Sequence, residues 1–89
     1  MEESEMVWDK LAVTEQLCQE IALITRTAPE NINPAASLRD NGIDSMSFLE
    51  ILLFIKNEWG INYLDDGLPP DAQSSIAVLA EHICSNQVV

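Results

Sequence analysis

Apolar residues recur at three- and four-residue intervals in three stretches of this 89-residue chain, and no stretch shows the clean alternation of a strand. That period gathers side chains on one face of a helix. The chain is therefore expected to be all-α. Three long helices and one short one make a small four-helix bundle, in a single domain over residues 1–89.

The first helix is expected from about Ser4 to Arg26. Val7, Leu11, Cys18 and Ile21 set its apolar face, widened by Leu17 and Ile24 on one side and Trp8 on the other. Glu2, Glu3, Glu5 and Asp9 stand near its start, where the helix dipole favours negative charge. A long connection, Ala28 to Ile43, follows, because Pro29 and Pro34 stop helical continuation. Within it Ser37-Leu38-Arg39-Asp40 reads as one turn capped by Ser37. Leu38 and Ile43 read as anchors into the core, and Asn41-Gly42 as a turn.

The second helix runs from Asp44, its N-cap, to Trp59, with Gly60 as the stop. Ile51, Ile55 and Trp59, with Phe48 and Leu52 beside them, face the core. Met46, Leu49 and Leu53 form a second apolar strip turned away from the first, which calls for further burial or for a ligand. Ile61 to Asp71 is irregular, with room for a short helical turn at most before Pro69-Pro70. The last helix starts at Ser74 or Ser75, packs through Ile76, Leu79, Ala80 and Ile83, and fades at Ser85-Asn86-Gln87.

Fifteen acidic residues against four basic ones leave a net charge of −11. That is the wrong sign for nucleic acid or for a polybasic membrane contact. It suits partners with basic surfaces, and it keeps a small domain soluble. Cys18 and Cys84 lie in apolar stretches without metal-like spacing. They read as buried reduced thiols, a disulfide between the terminal helices being the alternative. With no signal-peptide pattern and no membrane-length apolar run, the expectation is a cytoplasmic monomer. The start at Met1 and the short ends suggest a free-standing domain, an excised one being the alternative.

Enzyme signatures are absent. The lone histidine, His82, reads as a solvated residue at a helix C-terminal turn. Asp65-Asp66 lacks the ordered spacing of a calcium loop, and no metal site is expected. No glycine-rich phosphate loop occurs. What remains is Asn41-Gly42-Ile43-Asp44-Ser45-Met46-Ser47-Phe48-Leu49-Glu50. This run resembles the modification motif of acyl carrier proteins, a Gly-x-Asp-Ser-Leu/Met signature leading into an amphipathic helix. The likeness covers most of the chain, from the long first helix and the Ser-Leu-Arg-Asp turn to the final helix after an acidic turn.

The resemblance implies an acyl-carrier-like fold with 4′-phosphopantetheine, taken from coenzyme A, covalently attached to Ser45. A phosphopantetheinyl transferase would attach it, and the terminal thiol would then carry acyl groups as thioesters. Asp44 would fix the loop-to-helix junction and meet the transferase. Acyl-loading and acyl-processing enzymes with basic or apolar docking surfaces would read Met46, Leu49, Glu50 and Leu53. The residues agree with this reading. Ser45 falls in the first turn of a helix, where dipole and amides favour a phosphodiester anion. The motif holds no His or Lys to activate its hydroxyl, so an external enzyme must act.

Two departures stand out. Ser47, Ile51 and Lys56 dilute the acidic second helix of many acyl carriers, leaving Glu50 and Glu58. The Gly-Gly-x-Ser core typical of peptidyl carriers is absent, which tilts the cargo toward acyl groups and leaves aminoacyl cargo open. An unmodified helical interaction domain and a small enzyme are the competing readings.

Overall fold

The computed structural model describes residues 9–86. Four α-helices run α1 Lys10–Thr25, α2 Ser45–Trp59, α3 Tyr63–Asp66 and α4 Ile76–Ser85. One-turn 3₁₀ segments at Pro29–Asn31, Arg39–Asn41 and Pro70–Gln73 punctuate the connections. There is no strand among the described residues, and the fold is the small helical bundle expected from the periodicity.

Each boundary has a local cause. α1 begins at Lys10, later than the expected Ser4, because the Asp9 carboxylate accepts the Leu11 N–H at 3.2 Å. Val7, Trp8 and the three glutamates before them lie outside the described residues, as does Gln87. α2 ends at Gly60, whose φ of +74° closes the last turn through an N–H donated to the Lys56 carbonyl. α4 begins at Ile76 because the Ser75 hydroxyl accepts the Val78 N–H at 3.1 Å.

The core is shared by α1, α2 and α4. Leu17, Ile21, Ile51, Ile55, Ile76, Leu79 and Ile83 are its largest fully buried side chains. Leu38 and Ile43 reach into it from the long connection, as expected. The α1 face needs one correction. Val13, Thr14, Leu17, Cys18, Ile21 and Ala22 form it, whereas Leu11 is 65% exposed. Leu11 stands at the rim of the face in the first turn, where fewer neighbours stack on a side chain. Phe48 and Trp59 are half-buried at the rim of the core, Trp59 in a T-shaped pair with Phe54 at 5.6 Å between ring centroids.

The irregular stretch after α2 contributes more core than its composition suggests. Tyr63, Leu68 and Ala72 are buried, and Asn86 Nδ2 donates to the Tyr63 hydroxyl at 3.4 Å. Both cysteines are free thiols, Cys18 buried and Cys84 half-buried. Among the described residues no helix is long and apolar enough to cross a membrane.

Candidate functional site

The junction between the long connection and α2 is built from its backbone outward. Asp44 adopts an extended conformation, and its Oδ1 accepts the Ser47 N–H at 2.9 Å. Its own carbonyl accepts the Phe48 N–H at 2.8 Å. The Asp44 carboxyl is held below its ordinary range, chiefly by the Ser47 N–H and next by the Ser47 hydroxyl. Ser45 is then the first helical residue and is exposed. The capping bonds run past it to Ser47 and Phe48, so its hydroxyl is left out of them.

The connection that delivers Asp44 is fastened at several points. Asn41 Oδ1 accepts the Asn33 N–H at 2.8 Å, and its Nδ2 donates to the carbonyls of Asn33 at 3.0 Å and Ser37 at 2.8 Å. One side-chain amide thus ties the early part of the loop to its end. The Ser37 hydroxyl accepts the Asp40 N–H at 3.0 Å, the cap expected for this turn. Gly42 sits at φ +96°, and a Cβ there would come 3.4 Å from Thr25 Cγ2 on α1. The loop also holds α4, since the carbonyls of Ala36 and Pro34 accept the N–H groups of Ile76 and Ala77. Ser45 is therefore mounted on a segment that passes close to α1 at Gly42 and is hydrogen-bonded to α4.

An open groove of about 740 Å³ lies beside Ser45. Leu38, Ile43 and Phe48 give it apolar walls, and Arg39, Asp44 and Gln73 give it polar ones. The exposed serine at its edge, the cation and the apolar walls fit a phosphodiester followed by an extended arm. Sequence reasoning did not single out Arg39 or Gln73. Gln73 comes from the segment before α4, 28 positions after Ser45, and only the packing brings the two to one groove.

The second strip of α2, for which the sequence left further burial and a ligand both open, is exposed. Met46 is 78%, Leu49 58% and Leu53 49% exposed, and Glu50 is exposed among them. His82 departs from expectation. It is half-buried, and its Nε2 lies 3.2 Å from Asp71 Oδ2, which pairs α4 with the turn before it. Burial raises the Cys18 thiol pKa, and the Glu15 charge adds to that, so the thiol stays protonated near neutral pH. Among the described residues no group of three His, Cys, Asp or Glu could hold a metal ion.

No curated protein matches the chain significantly. A family model described as "Phosphopantetheine attachment site" (PP-binding) matches residues 15–83. Domains of this family attach 4′-phosphopantetheine covalently to a serine, act as carriers, and interact with a phosphopantetheinyl transferase and with partner enzymes. The matched span reaches from within α1 to within α4 and takes in the Asp44–Ser45 junction and the groove beside it. Well over half of the chain is matched: it belongs to the phosphopantetheine attachment family, and 4′-phosphopantetheine is its cofactor.

Proposed function

We propose that this chain is an acyl carrier loaded at Ser45. It presents thioester-bound acyl intermediates to enzymes of a polyketide, fatty-acid-like or other specialised biosynthesis, and is not itself a catalyst. The observation that carries the reading is the exposure of Ser45 as the first residue of α2, clear of the cap bonds that Asp44 makes to Ser47 and Phe48. A docking transferase needs such a hydroxyl. Once attached, the cofactor supplies a flexible arm ending in a thiol that forms thioesters.

The chain's own residues position and display that arm. Asp44 starts the helix so that Ser45 points outward from its first turn, and the Asn41 ties keep the junction from drifting. Met46, Leu49 and Leu53, with Glu50 between them, offer apolar contact and one charge to partners whose docking surfaces are apolar or basic. A covalent tether keeps cargo near each partner site at a raised local concentration. Acyl cargo is favoured over aminoacyl or peptidyl cargo because residues 42–45 read Gly-Ile-Asp-Ser and not Gly-Gly-x-Ser.

Incubation with coenzyme A and a promiscuous phosphopantetheinyl transferase tests the reading. The intact mass is expected to rise by one phosphopantetheine, and Ser45→Ala to abolish the rise. No gain with any transferase would leave the unmodified interaction domain as the better reading.

A further inference from the structure

We infer that Arg39 is a positioning residue for the attached arm, holding its phosphodiester so that the pantetheine lies in the groove between the long connection and α2. The inference rests on the loading of Ser45 proposed above. Three observations carry it.

The groove begins at the attachment residue, since Ser45 itself lines it. An arm leaving that oxygen meets the groove without crossing other surface. The charges are also arranged for an anion at one place. The domain carries −11, and Asp44 adds a carboxylate to the lining, so a new phosphodiester beside Ser45 enters a repulsive field. Among the groove residues Arg39 is the one cation, and its planar guanidinium suits phosphate oxygens. Finally, the lining beyond Arg39 matches the arm group by group. Leu38 and Ile43, each 5% exposed, and half-buried Phe48 present apolar surface for the geminal methyl groups. Gln73, whose Nε2 donates to the Leu68 carbonyl at 3.3 Å, presents a side-chain amide for the arm's own amides.

The hold is weak, as a carrier requires. An exposed ion pair shifts a population by about two- to five-fold, so the arm rests in the groove and still leaves for a partner site.

The test uses the full chain loaded from coenzyme A labelled with ¹³C at the geminal methyls. Mass spectrometry first confirms complete loading. In the loaded protein those methyls should show NOEs to the Leu38 and Ile43 methyls and the Phe48 ring. Arg39→Ala and Arg39→Glu should weaken them at least two-fold, Arg39→Lys should retain most of them, and 0.5 M salt should weaken the wild-type signals. Amide spectra of the unloaded variants check that the fold is intact, as expected for an exposed side chain. Full loading with no such NOEs, or with NOEs indifferent to Arg39 and to salt, would overturn this inference and leave the carrier reading standing. Failure to load at all would bring down both.

Discussion

α4 and α2 are both rich in aliphatic side chains, yet they use them differently. On α4, Ile76, Leu79, Ala80 and Ile83 are all fully buried. On α2, Ile51, Leu52 and Ile55 are buried, while Met46, Leu49 and Leu53 on the other side are 49–78% exposed. The first helix spends its apolar surface on the fold. The second divides it between the core and a face that begins one residue after Ser45. An exposed leucine adds little to folding, and the proposed carrier role gives these side chains a use as docking contacts.

The largest expected effect separates the two faces. Ile55→Ala on the buried face should destabilise by about 2–5 kcal/mol, a large part of the roughly 5–15 kcal/mol of a domain. Leu53→Ala, two positions away, should stay within about 0.5 kcal/mol. Urea midpoints measure both, and similar losses for the two would break the comparison.

A smaller effect lies in the connection between the faces. Asn41→Ala removes four side-chain hydrogen bonds that tie residues 33–41 together. The expected loss is about 1–3 kcal/mol. Because this loop supplies the carbonyls that cap α4, hydrogen exchange at the Ile76 and Ala77 amides should quicken with it. Unchanged exchange there would show that α4 stands independently of the loop.

The smallest effect concerns pH. The Asp44 carboxyl is held low in the folded state, first by the Ser47 N–H. A carboxyl whose pKa is depressed on folding contributes stability above its unfolded value and loses it as pH falls through the folded one. Thermal stability should therefore slip as pH drops below about 4. Asp44→Asn, which keeps a good N-cap, should match the wild type near neutral pH and show a shallower acid slope. Equal slopes would mean that other carboxyls dominate, Glu81 with its Lys10 partner being the clearest of them.

The helices were legible because their signals are local. Asp44, Ser75 and Gly60 mark boundaries through atoms within four residues of themselves, and those boundaries stand where the residues put them. The second strip was legible as a strip, because a 3.6-residue period separates its residues from Ile51 and Ile55, but its exposure was not, since further burial and a ligand both fitted the spacing. What escaped was non-local. Asn41 resembled an ordinary turn residue before a glycine, and its bonds to Asn33 span eight positions of irregular chain. His82 meets Asp71 eleven residues away across a turn that no pattern announces. Tyr63, Leu68 and Ala72 enter the core from a stretch without periodicity. Leu11 had the right spacing and lacked a covering neighbour, which sequence alone does not supply. The groove was hidden for the same reason, since Arg39 and Gln73 come to one place only through packing.

Whether a hydroxyl on the rim of α2 is the point of cofactor attachment can be read from one fragmentation spectrum. After loading from coenzyme A, proteolysis and tandem mass spectrometry should place the whole added phosphopantetheine on Ser45. Finding it on Ser37, Ser47 or any other side chain, or finding none, would contradict the assignment.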